Sequence, residues 1–331
     1  MVGLNVHPSH KLVVATTAGG VAHGVRYKDS ALVKEFETQT AQELPGSQRE
    51  FPSQRAVAFS PCGKLVAISQ GCAIGTWKLS PGEGLISVQS FGGAPAQGDV
   101  HPDSVRDVAF DDSGDRLVSH SDAAVAVWDV KAGKILCKVA YPAFLQTRPF
   151  TAPNLPFAHL SIVPQATLDL AIPARERVKF RGAVFQRGDS DHLVCCTSHA
   201  DGGRVSVRKV AEGLPAVRDS RVSANPLTAM GAAGAGFAVA TAEGEVVVLS
   251  EATLRKQCIL GLHAMPVTAV VPLPGGDTLS TGFDNFVCVS NARDTIKKQA
   301  RASALMFALL LLLVLFVVLV LVHEPLRAIL A

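Results

Sequence analysis

VRDVAFDDSGDRLVSHSDAAVAVWDV, residues Val105 to Val130, reads as strand, polar turn, strand, tight turn, strand. Val105, Val108 and Phe110 carry apolar side chains along a first strand, and Asp111 to Asp115 supply a turn of small and acidic residues. Leu117 and Val118 continue the core, and Val125 and Val127 alternate with alanines before Trp128. Upstream, VAFSPCGKLVAISQGCAIGTWKL (Val57 to Leu79) repeats the pattern, so that VAFSPCGKLV and VAFDDSGDRLV align almost position for position. Downstream, Val267 to Val289 places two strands around PGGD and a third after FDN.

Weaker copies begin at Val2, Val178 and Leu227. A period of roughly 40 residues, with several strands in each unit, predicts an all-β fold, a β-propeller of WD-repeat type with six recognisable blades. His101, Ser119, Asp122 and Trp128 have the spacing of a side-chain network inside one blade. Asp122 is expected to fix the tight turn, His101 to bridge to it, and Ser119 to relay to the Trp128 indole N–H. Such a buried network is worthwhile only when all its members are satisfied. In the last blade His263, Thr281 and Asp284 are expected to play the same parts, with Ser290 in the tryptophan position. Val57 to Leu79 keeps Trp77 but has Gly71 in place of the aspartate. A hydrolase triad of His101, Ser119 and Asp122 is the competing reading. Recurrence at blade spacing, ending in a tryptophan, favours the structural one.

The pattern breaks between Tyr141 and Arg177, where prolines fall at 142, 149, 153, 156, 164 and 173. Proline cannot donate to a strand ladder, so this stretch reads as an irregular outer strand with a long surface excursion. Ala31 to Ser53, polar and rich in Gln and Glu, reads as a second excursion. Gly231 to Gly236 has no helix pattern after it and reads as a turn between strands, not a phosphate loop.

Ser303 to Val322 is an unbroken apolar run near the C-terminus. As a helix it spans roughly 30 Å, the thickness of a bilayer's hydrocarbon core. Lys297, Lys298 and Arg301 stand before it, and basic residues favour the cytosolic side. The expected organisation is a cytosolic propeller (1–292), a basic juxtamembrane linker (293–302), a transmembrane helix (303–322) and a short lumenal tail (323–331). Met1 to His10 has neither a charged nor an apolar signal region.

The formal net charge of +3 gives no basic face for nucleic acid. The seven cysteines are odd in number and lack framework spacing, which suits reduced thiols in the cytosol. Cys195, Cys196 and His199 do not read as metal ligands, because adjacent residues of a strand point to opposite faces. No pairing of nucleophile and base outside the blade network suggests an enzyme, and no catalytic, cofactor or metal residue is assigned.

A propeller followed by one C-terminal span resembles the endoplasmic-reticulum guanine-nucleotide exchange factors of the prolactin regulatory element-binding protein family. RAVAFSPCGKLVAISQGCAIGTWKL (55 to 79) resembles a middle blade of that family, and VRDVAFDDSGDRLVSHSDAAVAVW follows in the same order. RVKFRGAVF (177 to 185) resembles the strand after the family's irregular blade, and LHAMPVTAV (262 to 270) the last blade before the membrane linker. The resemblance implies activation of a Sar-type small GTPase to start COPII coat assembly, with no bond chemistry, or a non-catalytic scaffold at the same membrane. In that family the first of seven blades carries a Gly- and Asn-rich loop that binds a potassium ion and expels GDP. Here the first unit, VGLNVHPSHKLVVATTAGGVAHGVRYK, is closer to the family's second blade, and Ala18-Gly19-Gly20 is too short for that loop. Two expectations follow: a further blade encoded upstream of Met1, or a six-unit chain without the exchange loop.

Overall fold

The computed structural model describes residues 4–9, 12–28, 31–41, 52–80, 82–92, 100–140, 178–211, 213–233, 236–272, 277–291, 294–298, 301, 306 and 309–313. Six antiparallel sheets follow one another in chain order, each with its strands in sequence order. The first holds β1 (Leu4–Val6), β2 (Leu12–Thr16), β3 (Val21–Lys28) and β4 (Ala31–Gln39). The second holds β5 (Val57–Phe59), β6 (Leu65–Gln70), β7 (Ala73–Ser80) and β8 (Gly84–Phe91). The third holds β9 (Asp107–Phe110), β10 (Arg116–His120), β11 (Ala124–Asp129) and β12 (Lys134–Ala140). The fourth holds β13 (Lys179–Gln186), β14 (Asp189–His199), β15 (Gly202–Lys209) and β16 (Ala216–Ser223). The fifth holds β17 (Leu227–Ala233), β18 (Gly236–Thr241), β19 (Glu245–Ser250) and β20 (Lys256–Gly261). The sixth has β21 (Val267–Pro272), β22 (Asp277–Gly282) and β23 (Val287–Asn291).

The aligned phrases fold alike because both make the same turn. Gly63 N–H donates to Ser60 O at 2.8 Å and Gly114 N–H to Asp111 O at 3.1 Å. Both glycines sit at positive φ, 72° and 78°, where a side chain would be strained. Asp111 locks its turn further, accepting from Ser113 Oγ at 2.8 Å and from Arg116 N–H at 3.1 Å.

The chain divides into two compact units, Met1–Leu227 and Thr228–Ala331. In the first unit the third sheet buries both of its faces. Leu117, Ala126 and Trp128 pack with Ala67, Ile74 and Phe91 of the second sheet. Val118, Val125 and Val127 pack with Phe180, Ala183 and Cys195 of the fourth. These three valines are fully buried, worth about 1.5–3 kcal/mol apiece over leaving them in water. In the second unit Ala240, Val246, Val248, Cys258 and Leu260 pack with Val267 and Val270.

One expectation needs correction. Ala31 to Gln39 is the outer strand β4, not an excursion. An outer strand has one ladder neighbour and a solvated face, so Lys34, Glu35 and Glu37 suit it, and Arg26 pairs with Glu35 across the ladder. The rest of that stretch, 42–51, lies outside the described residues, as does the proline-rich stretch 141–177. Within the expected linker, residues 294–298 form a helical turn that Asn291 caps, its Oδ1 accepting from Asp294 N–H at 2.9 Å. Ile296 of that turn packs on the second unit's core.

Of the expected membrane helix, residues 306 and 309–313 are described, and they are helical and exposed. No helix among the described residues is long and apolar enough to cross a membrane. The remainder of 303–322 and the tail 323–331 lie outside the described residues.

Candidate functional site

The loop into β9 delivers His101 beneath the third sheet, where it meets residues of β10 and β11. His101 Nε2 lies 2.7 Å from Ser119 Oγ, and Trp128 Nε1–H donates to the same oxygen at 2.8 Å. All three residues are buried. Ser119 Oγ accepts the indole proton and either donates to His101 Nε2 or accepts from it, according to the ring's tautomer. His101 Nδ1 has no partner among the described residues. Burial pushes His101 down to about 4, so the ring is neutral at physiological pH.

Asp122 does not close this network as expected. Its carboxylate turns towards cations at the border with the fourth sheet. Arg106 pairs with it through Nε, and Arg106 Nη2 donates at 3.1 Å. Arg181 Nη1 donates at 3.2 Å and Lys179 Nζ stands 3.8 Å away. Three nearby positive charges outcompete one neutral imidazole for a carboxylate. Main-chain bonding adds to the staple, since Phe180 N–H donates to Asp122 O at 2.9 Å. Beside it His120 is buried, and burial above all pushes it down to about 3. Across the ladder from His120, Asp107 is raised to about 6 by burial.

The last sheet has the fuller network, with one residue corrected. His263 Nδ1 lies 3.0 Å from both Asp284 carboxylate oxygens, and Nε2 lies 2.9 Å from Ser280 Oγ. Ser280, not Thr281, therefore takes the hydroxyl position. Thr281 is the next residue along β22 and faces the other way, with Oγ1 3.0 Å from Thr268 Oγ1. The turn after Ser280 is one residue longer than the turn after Ser119, which shifted the spacing. Burial raises the Asp284 carboxyl, but hydrogen bonds from Phe286 N–H, His263 and Ala264 N–H outweigh it and hold the group below the usual range.

Ser280, His263 and Asp284 have the wiring of a hydrolytic triad. Ser280 is 1% exposed, however, so no substrate carbonyl reaches its hydroxyl. The network holds the β22–β23 turn. In the second sheet, where Gly71 replaces the aspartate, Ser69 Oγ instead accepts Ala56 N–H at 3.0 Å.

No group of three His, Cys, Asp or Glu able to hold a metal ion occurs among the described residues. Cys195 and Cys196 are both fully buried; burial pushes Cys195 up to about 12 and Cys196 higher still. A potassium ion would need free carbonyls at the β2–β3 turn. There Thr17 O accepts Gly20 N–H, and Gly20 O accepts Thr40 N–H, Ala41 N–H and Thr40 Oγ1. Both of these oxygens are engaged by the fold. At Gly236, a Cβ would strike Leu249 O, so this glycine serves close backbone approach within the fifth sheet.

Lys297, Lys298 and Arg301 lie on helical residues after β23. Spacing alone did not reveal Arg106, Lys179, Arg181 or Ser280. Arg106 precedes β9, whereas Lys179 and Arg181 lie on β13, and the two elements meet only in three dimensions.

Solved structures share the architecture. The WD40 β-propeller domain of Doa1 superposes with a TM-score of 0.57 at 13% identity, over 86% of this chain and 77% of that one. A chain of the mitotic checkpoint complex superposes with a TM-score of 0.60 at 10% identity, over 86% of this chain and 72% of that one. No protein-family model and no curated protein matches the sequence. At such identities the likeness defines the fold alone: the chain has a WD40 β-propeller fold with six blades.

Proposed function

We propose that this chain is a membrane-anchored guanine-nucleotide exchange factor for a Sar-type small GTPase, starting COPII vesicle budding at the endoplasmic reticulum. The observation that supports the reading most is the layout: a WD40 propeller followed by a basic flank and an apolar run, with blade phrases in the family's order. The protein would act as a regulator without bond chemistry. It binds the nucleotide-free GTPase more tightly than the GDP form, and this differential affinity drives GDP release. The anchor holds it in the membrane where the GTPase also dwells, which raises their effective concentration. The propeller faces the cytosol and the tail the lumen.

The test uses the full chain in liposomes, a Sar-type GTPase loaded with fluorescent GDP, and excess GTP. Faster loss of fluorescence supports exchange, and an unchanged rate refutes it. A second reading, a non-catalytic scaffold at the same membrane, is favoured by the tight β2–β3 turn, which offers no projecting loop. WD40 surfaces serve many unrelated ends, and a fold does not fix one of them. Affinity capture that recovers coat components without the GTPase supports the scaffold.

A further inference from the structure

The outer strands of the second and third sheets occupy equivalent places. Trp77 pairs with Ser87 of β8 as Trp128 pairs with Ile135 of β12, each beside a β-bulge. From there the second sheet sets serines, Ser87 and Ser90, where the third sets Ile135 and Lys138. It sets Ile86 where the third has Lys134. These exchanges gather apolar residues on the cleft between the two sheets. Ala126 and Trp128 pack towards the second sheet, so their ladder partners Lys138 and Ile135 share that face. Ile74 and Phe91 pack towards the third sheet, and alternation along β7 puts Lys78 and its partner Ile86 on the same face. Gln89 shares it too and lies against the β11–β12 turn, where a Cβ on Gly133 would strike its amide.

Ile86 is 45% and Ile135 40% exposed, and the bulge residues of the same strands, Val88 and Leu136, are 56% and 46% exposed. Together the four side chains leave on the order of 300 Å² of apolar surface in water, the size at which a monomer's patch is often functional. The charge beside it is of one sign. β7, β8, β11 and β12 carry three lysines and a single carboxylate, Asp129. Asp129 lies across the ladder from Arg116 on the opposite face, where Arg116 meets Asp191 of the fourth sheet. On neighbouring turns Asp115 pairs with Lys131 at 2.8 Å, and Glu83 accepts from Ser80 Oγ at 3.0 Å. Lys78 and Lys138 thus stand exposed on the two walls of the cleft with the isoleucines between them.

We propose that this cleft binds an extended acidic segment of a partner protein, with an aliphatic side chain seated against Ile86 and Ile135 and a carboxylate at each lysine. Lys78 stands level with Lys134, three ladder steps from Lys138, or roughly 10 Å along the strands. Residues i, i+2 and i+4 of an extended chain point the same way and span roughly 13 Å. Glu or Asp at i and i+4, with Ile, Leu or Val at i+2, therefore matches the cleft. A second copy would bring lysine to lysine, so charge complementarity favours an acidic partner. This recognition is separate from nucleotide exchange and stands or falls without it.

The probe is a fluorescein-labelled peptide, GSETISEGS, titrated against the full chain in detergent and followed by fluorescence anisotropy. Saturable binding below about 1 mM is expected, weakened at least about tenfold by Ile135→Ser and by Lys138→Ser. The second sheet carries serine at both places, so each variant should fold. Lys78→Glu combined with Lys138→Glu should switch the preference to the peptide GSKTISKGS, a gain of binding that a folding defect does not produce. Photo-leucine in place of the peptide's isoleucine should cross-link to residues 84–92 or 134–140.

The proposal is overturned by an absence of binding up to about 1 mM peptide, by full binding in Ile135→Ser, by no switch in the charge-reversed variant, or by cross-links elsewhere. A concentration-dependent dimer that excludes the peptide overturns it in favour of a second copy. Binding that appears only after residues 141–177 are spliced out overturns it in favour of a covering segment of this chain.

Discussion

Removing one oxygen, in Ser119→Ala, tests the third-blade network most directly. Ser119 Oγ is the shared partner of His101 Nε2 at 2.7 Å and of the Trp128 indole N–H at 2.8 Å. Its deletion leaves two buried groups unpaired, and His101 already has one unpaired nitrogen. Each orphaned group costs about 1–3 kcal/mol, so the variant loses about 2–5 kcal/mol. For a domain of this size that is a fall in melting temperature of roughly 5–15 °C. The chain has two tryptophans, both buried, so their fluorescence reports the melting of the full chain in detergent.

Trp128→Phe completes a thermodynamic cycle, since it removes the donor and keeps a ring beside Phe91, whose centroid lies 5.7 Å away. The double variant should lose about 1 kcal/mol less than the sum of the two single losses, because the second change removes a group the first had already orphaned. A melting temperature for Ser119→Ala within a degree of the parent, or strict additivity in the cycle, refutes the reasoning.

Ser280→Ala should destabilise by about 1–3 kcal/mol and Thr281→Val hardly at all, read by thermal melting; the reverse order would restore Thr281 to the network. Asp122→Ala should cost about 1–2 kcal/mol and should narrow the difference in melting temperature between low and high salt, because its partners are partly exposed cations; an unchanged salt response refutes the clamp. Stability should fall as pH drops below about 6.5. His101 and His120, held near 4 and 3 in the fold, take up protons near 6.5 when unfolded, so the unfolded chain binds more protons there, at up to about 1.4 kcal/mol per pH unit for each. Asp107, raised from 3.8 to about 6, acts in the opposite sense within that narrower window and offsets part of one histidine; a melting temperature flat or rising from pH 7 to pH 5 contradicts this. Leu311→Arg with Leu315→Arg should release the protein from membranes, each arginine near mid-span costing about 2.5–3.5 kcal/mol on insertion scales; retention in the pellet after carbonate extraction contradicts the anchor.

The sequence made the blades legible because each unit pairs a strict strand period with turn residues of defined conformation. Units expected from Val57, Val105, Val178, Leu227 and Val267 correspond to sheets that begin at Val57, Asp107, Lys179, Leu227 and Val267. What it hid has physical causes. β4 carries charges on a solvated outer face, so it lacks the alternation that marks an inner strand. Ser280 was misplaced by one residue because the turn after it is longer. The bond from the Trp128 indole to Ser119 lies where the spacing placed it, whereas the diversion of Asp122 from His101 to Arg106 and Arg181 depends on the neighbouring sheet. Side chains that meet across sheets leave no periodic trace along one segment.

The staple at Asp122 has a consequence for engineering. Ala140, the end of β12, pairs with Ala124, and the Phe180 N–H reaches back to Asp122 O at 2.9 Å, so the chain departs and returns within two residues of the same hairpin. The junctions on either side of residues 141–177 are therefore fixed by bonds that do not involve the intervening peptide. Splicing them with a linker of about six residues should preserve both blades and recover about 1.5 kcal/mol of closure entropy. The same address should accept a fluorescent cargo domain, giving a tagged protein whose two termini remain untouched.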